Sequence, residues 1–297
     1  MRYCGMDVSD RSSRICIIDE AGEVLHEGLV MNDTDGLRQF FERAEPMVVG
    51  IEACGTSAWL AEEISRYGHV VKVLHPQSIE ALVKGRKTDR NDARMLAQVL
   101  RGGWYREVHQ KSRDSRWLRS LIQARSKLVM TESSISVQIQ GLMKHWGLAV
   151  GSSRAADFMG RIEGRLMQEP KLEAIIRPLM DALTGIQEQL KRLTKVLKEA
   201  SRGNDDAAIL MTHPGVGPVT AMAFIGTIDD PGRFKKSRPV GAYLGLTARV
   251  NQSGELDRRG RITKNGDAVL RSYLLTAAHA LLREETRCCG RRRVFAN

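Results

Sequence analysis

The chain has 297 residues, 42% of them hydrophobic, so it is long enough to bury more than one core. Lys and Arg number 46 against 35 Asp and Glu, and the resulting net charge of +11 favours a polyanionic partner such as nucleic acid. No apolar run approaches the roughly 18 residues of a membrane span and the first residues do not resemble a signal peptide, so we expect a cytoplasmic protein and no membrane contact.

The first 75 residues have the pattern of a mixed α/β sheet. Alternating apolar residues predict three antiparallel strands within residues 2–30, with a hairpin turn at 19–22. The apolar pattern then predicts a helix near 36–43, a strand at 47–51, a helix at 57–67 and a strand at 70–74. This order is that of the ribonuclease H-like fold, which we predict for residues 1–112.

Four carboxylates of this region form the candidate active site. Asp7 lies late on the first strand, and Glu52 ends a later strand, where open α/β sheets place their ligands. Asp89 and Asp92 share one face of a predicted helix whose N-cap is Thr88. Because such a cluster repels itself unless cations bind it, we expect Mg²⁺ or Mn²⁺ and chemistry on a phosphodiester. Acids in a first helical turn can instead simply complement the helix dipole, and the two aspartates alone leave that alternative open.

Residues 113–203 have the pattern of long helices. The clearer of two heptad seams alternates steps of three and four and consists of Ile176, Leu179, Leu183, Ile186, Leu190, Leu193 and Leu197. Pro178 is expected in the first turn of that helix. The helices can pair within one chain or with another chain, and their length favours a coiled-coil arm for self-association.

Residues 204–297 are predicted to form a small, mainly α domain. Pro214-Gly215-Val216-Gly217 resembles a helix-hairpin-helix element, whose turn amides contact phosphate, and an ordinary turn between helices is an equal alternative. Ser253 lies in a glycine-bearing loop among many cations. It can be a nucleophile, a phosphate contact or simply a turn residue, and the sequence around it leaves these alternatives open. The predicted nucleic-acid contacts of the chain are Lys84, Arg86, Lys87, Gly215, Gly217, Arg258, Arg259, Arg261 and Lys264.

Short motifs are spread over the whole chain: Gly5-Met6-Asp7-Val8-Ser9, Gly50-Ile51-Glu52-Ala53-Cys54-Gly55, Lys87-Thr88-Asp89-Arg90-Asn91-Asp92-Ala93-Arg94, Pro214-Gly215-Val216-Gly217, Arg233-Phe234, Tyr243-Leu244-Gly245-Leu246, Gln252-Ser253-Gly254 and Lys264-Asn265-Gly266. Their order and spacing resemble those of the IS110 family of bacterial transposases, which includes the Piv DNA invertase. The resemblance implies a RuvC-like domain, a coiled-coil arm and a transposase domain with a catalytic serine. It assigns the DEDD carboxylates to Asp7, Glu52, Asp89 and Asp92, and the serine to Ser253.

The resemblance further implies DNA strand cleavage and exchange through a covalent serine–DNA intermediate, in dimers or tetramers. Some family members use an element-encoded guide RNA, and the sequence leaves that partner open. Because no histidine stands beside Ser253, we expect metal-bound carboxylates to activate it, and we favour those of a partner chain. The chain also ends sooner after its last predicted helix than family members do, which is the pattern of a truncated copy.

Three rival functions remain open at this point. A RuvC-like junction nuclease would share the carboxylates and the basic charge but would need no serine. A sugar-kinase or actin-like ATPase would use residues 5–9 as a phosphate loop, but it would need a second such loop and an adenosine pocket. An inactive, truncated remnant would bind DNA without cleaving it.

Overall fold

The computed structural model describes residues 1–76, 89–153, 157–167, 169–253 and 256–287. The chain divides into two compact units, Met1–Lys111 and Ser112–Asn297. The finer division into domains at residues 1–112, 113–203 and 204–297 stays a prediction.

A five-stranded mixed sheet forms the centre of the first unit. Its strands are β1 (Tyr3–Val8), β2 (Ser12–Ile18), β3 (Val24–Met31), β4 (Val48–Glu52) and β5 (Val70–Leu74). They lie in the order β3-β2-β1-β4-β5. β2 pairs antiparallel with β1 and β3, whereas β4 pairs parallel with β1 and β5. The mixed α/β sheet is therefore confirmed, and its order is consistent with a nuclease-like fold.

Helices cover both faces of this sheet. The helices are α1 (Thr34–Phe41), α2 (Ser57–Arg66) and α3 (Asp89–Gly102). On one face, residues of α1 and α2 such as Phe41 and Leu60 are buried against Met6 and Ile51. On the other face, α3 buries Leu96 and Leu100 against Val48 and Leu74. Because successive strand residues point to opposite faces, the sheet contributes to both cores.

The second unit is mainly helical. Its helices are α4 (Arg113–His145), α5 (Phe158–Leu166), α6 (Pro170–Arg202), α7 (Asp205–Met211), α8 (Pro218–Ile228), α9 (Arg238–Tyr243) and α10 (Ala268–Arg287). A two-stranded antiparallel ribbon, β6 (Ala248–Ser253) and β7 (Leu256–Ile262), lies between α9 and α10 in the chain. The apolar α8 is largely buried, and its Met222 and Ala223 share one core with Leu118, Leu197 and Leu270.

The long helices α4 and α6 pack against each other within the chain and run antiparallel. Arg125 Nε donates to Thr194 Oγ1 at 3.0 Å, and Gln187 Nε2 donates to Glu132 Oε1 at 3.0 Å. From the first of these contacts to the second, the residue number rises by seven on α4 and falls by seven on α6. The two helices therefore run in opposite directions. The seam is already partly filled by this pairing, with Ile176 and Leu183 both 0% exposed. Self-association of the arm stays a prediction.

The predicted position of Pro178 is wrong. The helix begins eight residues earlier, with Pro170 at its N-terminus, and Pro178 lies inside it with its side chain exposed. A proline suits the first helical position, where its missing N–H costs nothing, and Pro170 occupies that position. Burial of Leu172 and Ile176 in the core shared with α4 and α5 accounts for the extra turns, despite the hydrogen bond that Pro178 cannot donate.

None of the described helices is both long and apolar enough to cross a membrane.

Candidate functional site

Two glycines show which face of the sheet carries the candidate acids. A Cβ on Gly5 of β1 would lie 2.1 Å from the carbonyl oxygen of Ala93, and one on Gly50 of β4 would lie 3.2 Å from Leu100. Both glycines therefore point at α3. Asp7 and Glu52 each stand two residues further along the same strands, so their side chains point to the same face.

The strands also bring these two acids to the same end of the sheet. β1 and β4 run parallel with Met6 opposite Ile51, and Asp7 and Glu52 are the next residue on each strand. Both side chains are half-buried. Two carboxylates on neighbouring strand ends, under one helix, are the arrangement that the sequence pattern predicted for this region.

Helix α3 runs against the direction of β1. Near its C-terminus, Gln98 Nε2 donates to Gly22 O at 3.0 Å and Arg101 Nη1 donates to Glu20 O at 3.2 Å. Those acceptors lie in the β2–β3 turn, beside the start of β1, because Tyr3 is aligned with Ile18. The N-terminal end of α3, which carries Asp92, therefore lies toward the end of β1 that carries Asp7. We call Asp7, Glu52, Asp89 and Asp92 on these elements the carboxylate face.

The donor set of the carboxylate face suits a hard divalent cation, which prefers carboxylate oxygen. Among the side chains that the structure describes, however, no three of His, Cys, Asp and Glu gather closely enough to hold a metal ion. The Asp89 side chain lies outside the described part, so the fourth predicted ligand is not included. The backbone supports convergence of the acids, whereas metal binding stays a prediction.

The structure describes only some of the cations that flank Asp89 and Asp92 in the sequence. Lys84, Arg86 and Lys87 lie outside the described residues. Arg94 on α3 donates from Nε to the Glu27 carboxylate, and this hydrogen bond raises the pKa of the guanidinium. Arg94 therefore has a structural partner on β3, and the resemblance alone did not indicate that role.

Ser253 occupies the end of the β6–β7 ribbon, which we call the serine hairpin (residues 248–262). It is aligned with Leu256 in the last described pair before residues 254 and 255, which lie outside the described part. Arg258 and Arg259 are aligned with Asn251 and Val250 on the opposite strand. The serine thus stands at a tip, as a loop nucleophile or phosphate contact requires, while the side chains around it are not described.

The base of the serine hairpin is fixed by backbone contacts between two sequence motifs. Gly245 has φ +69°, and a Cβ there would lie 2.0 Å from Asn265 O. Gly266 has φ +79°, and a Cβ there would lie 2.3 Å from Tyr243 O. Lys264 N donates to Gly245 O at 3.1 Å, although Lys264 itself has the positive φ of 59°. The glycines of these motifs are therefore required by close approach.

Two charged groups outside the predicted set of site residues reinforce this base. Arg271 Nη1 donates to Leu244 O at 3.1 Å and to Asn265 O at 2.6 Å. Asp267 accepts from Leu270 N at 2.9 Å, as the N-cap of α10, and from Arg119 Nη1 at 2.8 Å. The sequence feature that could have indicated this cap is an aspartate three residues before Leu270, because an N-cap side chain accepts from the backbone N–H three residues later.

The remaining predicted contacts lie in described parts of the second unit. Arg261 and Lys264 are exposed near the end of the serine hairpin and just after it. Gly215 has φ +81°, and a Cβ there would lie 2.6 Å from Ala277 O, so α10 accounts for this glycine. Gly217 is the N-cap of α8, and a Cβ there would meet nothing within 4 Å. Phosphate binding at this turn stays a prediction, because packing already explains one of its two glycines.

Two family models match the chain. The family described as "Transposase IS116/IS110/IS902 family" matches residues 207–289, and a transposase family labelled DEDD, of IS110 elements, matches residues 4–146. The first match contains the serine hairpin, and the second contains all four residues of the carboxylate face.

Curated relatives agree with these models. A probable family 20 transposase of Pseudomonas aeruginosa is 30% identical over 259 residues, which cover 86% of this chain and 75% of that protein. The transposase for insertion sequence element IS1111A of Coxiella burnetii is 27% identical over 291 residues, 95% of this chain and 78% of that protein. The pilin gene-inverting protein of Moraxella bovis is 26% identical over 242 residues, 77% of this chain and 65% of that protein. By these matches, the chain belongs to the IS116/IS110/IS902 family of insertion-sequence transposases.

Proposed function

We propose that this transposase cuts and rejoins DNA strands by transferring a phosphoryl group to Ser253 with the help of the carboxylate face. The observation that carries the proposal is the common orientation of Gly5 and Gly50 toward α3, which places Asp7 and Glu52 on the face covered by the helix of Asp92. The relative named for inverting a pilin gene supports recombination, because inversion requires strands to be both broken and rejoined.

The acids and the serine have separate tasks in this scheme. Asp7, Glu52, Asp89 and Asp92 would hold Mg²⁺ or Mn²⁺, which, when bound, neutralises charge on the scissile phosphate. The Ser253 hydroxyl oxygen attacks phosphorus, the bond from phosphorus to a sugar oxygen breaks, and the hydroxyl proton passes to the departing oxygen. The phosphoserine ester keeps the energy of the broken bond, so a second sugar hydroxyl can reverse the step and join a new strand.

A junction nuclease is the second candidate, since it would use the same acids with water as the nucleophile. The placement of Asp7, Glu52 and α3 supports a nuclease and a serine transposase equally. The role of Ser253 is what distinguishes the two functions. A nuclease of that kind leaves no protein on the DNA, whereas serine chemistry does.

The decisive experiment traps the protein on nicked duplex DNA taken from the flanks of the element. We expect an adduct that resists denaturant and in which peptide mapping identifies Ser253 as the residue bonded to DNA. The variant Ser253→Ala should form no adduct. Asp92→Asn should abolish adduct and cleavage, since paired carboxylates act together and single losses typically cost about 100-fold or more.

Matched controls are available in the same chain. Ser237→Ala changes an exposed serine that makes no cap hydrogen bond, and Asp10→Asn changes an exposed acid just after β1. Both should form the adduct normally. Strand cleavage by Ser253→Ala at the wild-type rate would exclude serine chemistry and favour the nuclease.

A further inference from the structure

Four cations form a straight row on the outer face of α6. Counting from Lys191, they follow at steps of four, three and four residues: Lys191, Lys195, Lys198 and Arg202. At about 100° per residue these positions lie within an arc of about 60°. From Lys191 to Arg202 the row spans eleven residue steps, which is about 16 Å of helix. We call these four residues the basic row.

The basic row faces away from the core. Leu197, between its third and second members, is 0% exposed and belongs to the core of the second unit. All four members of the row are exposed. Together with Leu190, Thr194 and Glu199 they line an open groove of about 440 Å³ along α6. Cations therefore make up most of the lining of the groove, and Leu190 is the one apolar residue among the described residues that line it.

The charges of the row are not neutralised as other cations on the same helix are. Arg192 is held by Glu188 at 2.6 Å, and Arg177 is held by Glu173 at 2.7 Å. In the row, Lys195 alone has a carboxylate nearby, Glu199 at 3.9 Å, and the other three form no ion pair within the described part of the chain. Four cations and one acid leave a charge of +3 in the groove.

This arrangement costs the helix stability by itself. Like charges one turn apart on a helix repel each other and destabilise it. A bound polyanion removes that repulsion and gains from release of its counterions. A row about 16 Å long matches about five nucleotides of one strand, which advance about 3.4 Å each.

We propose that the basic row binds the phosphates of duplex DNA, outside the carboxylate face and the serine hairpin. The proposal rests on the proposed function, because a transposase that cuts DNA must also hold the duplex beside the cut. Lysine predominates in the row, and lysines contact phosphate as point charges, so we expect binding without sequence preference. The arm whose seam predicts self-association would then also bind substrate through its basic row.

The test compares DNA affinity across salt concentrations. Full-length protein carrying Lys191→Gln, Lys195→Gln, Lys198→Gln and Arg202→Gln is titrated against a fluorescent 30-base-pair duplex, with anisotropy as the readout. Because each phosphate contact contributes about 0.9 to the slope of log affinity against log salt, the slope should fall by about 3 to 4. The difference in affinity between the two proteins should therefore widen about 10-fold for each twofold reduction in salt.

A charge-matched control removes four cations elsewhere on the same arm: Lys144→Gln, Lys171→Gln, Arg177→Gln and Arg192→Gln. Its slope should stay near that of the wild type. Circular dichroism checks whether both variants keep their helices. The double variant Lys191→Gln with Lys198→Gln serves if the fourfold one does not fold, and it should lower the slope by about 1.8.

Each outcome has a distinct meaning. Wild-type protein that binds no DNA would defeat the proposed function and this inference with it. Wild-type binding together with an unchanged row variant would overturn this inference alone. Equal losses in row and control variants would also overturn it, because net charge would then suffice. Row-dependent binding of a matched RNA duplex but not of DNA would overturn it as well, since the row would then serve RNA.

Discussion

The carboxylate face and the serine hairpin are both carried by β-strands, but different contacts hold them in place. Asp7 and Glu52 extend from two neighbouring interior strands of a five-stranded sheet, with buried side chains on both faces. The serine hairpin is a two-stranded ribbon whose described fixed points, including Gly245, Gly266 and Arg271, lie at its base. Core packing therefore positions the acids, whereas a few backbone contacts position the serine.

The two sites should therefore respond differently to substitutions in the residues that hold them. A change in core volume beneath the acids has nowhere to relax, because protein interiors are close-packed. A change at the base of the ribbon can be absorbed by a surface segment, so it should misplace the tip more than it unfolds the unit.

The largest effect is expected from Gly5→Ala. The new methyl group would overlap Ala93 O at 2.1 Å and Ala97 N at 2.4 Å, both backbone atoms of α3. We expect the free energy of unfolding of the first unit to fall by about 3 kcal/mol. Denaturant titration measures the loss.

Thiol labelling reports the same change at the core. Cys4 and Cys16 are 0% and 1% exposed, and burial raises the pKa of the Cys4 thiol, so both should resist alkylation until the unit opens. Gly5→Ala should make them reactive at lower denaturant. Gly55→Ala, where a Cβ meets nothing within 4 Å, is the control. Equal stability of the two variants would end the idea that close packing holds the carboxylate face.

A smaller effect on stability is expected from Gly245→Ala. The backbone there has φ +69° and the methyl group would meet Asn265 O at 2.0 Å. Gly245 is buried, but the opposing residues Lys264, Asn265 and Gly266 are exposed, so that side of the contact can shift. We expect a loss of about 2 kcal/mol in the free energy of unfolding. The displaced backbone at the base should move the tip of the serine hairpin. The yield of the Ser253 adduct should therefore fall by more than the loss of folded protein accounts for.

Gly241→Ala provides the control for that variant. It lies in α9, where a Cβ meets nothing within 4 Å, so it should be neutral or stabilising by about 0.5 kcal/mol. Normal adduct yield from folded Gly245→Ala would show that the base does not position the serine.

The smallest effect is expected from Lys72→Met on β5. Lys72 Nζ lies 2.9 Å from Glu107 Oε2, with side chains 32% and 46% exposed, so the pair should contribute about 0.5 kcal/mol or less. The hydrogen bond to Glu107 raises the pKa of Lys72. The contribution is therefore complete below the unfolded lysine pKa of about 10.4 and is lost as pH rises through the folded pKa.

Unfolding of wild type and Lys72→Met at pH 8 and pH 11 measures this contribution. The difference between the two proteins should shrink at the higher pH, while Arg43→Met, an exposed cation of the same unit, should show no such change. A loss above about 2 kcal/mol would mean that ion pairs, and not packing, hold the first unit.

Sequence alone predicted the sheet and the placement of two acids on it. The period of two in the strands and the position of Glu52 at a strand end carry that information locally. The reason for Gly5 was not readable, because nothing in β1 shows that α3 crosses at that residue. The same holds for Gly245 and Asn265, whose contact joins positions twenty residues apart.

The seam on α6 shows a different limit. A heptad pattern states that one face must be covered, but it does not identify the partner, and α4 of the same chain covers much of it. The prediction that Pro178 lies in the first turn was wrong for a related reason. The local preference of proline for helix starts was outweighed by burial of residues on both sides of it.

The antiparallel pairing of α4 and α6 makes the arm an insertion whose two ends return to one core. Leu118 near the start of α4 and Leu197 near the end of α6 lie in the same cluster. A lineage can therefore lose or gain seven residues on each helix, about 10 Å of length, and keep both the seam and the core beneath it. The length of the arm can thus vary without disturbing the core to which both of its ends return.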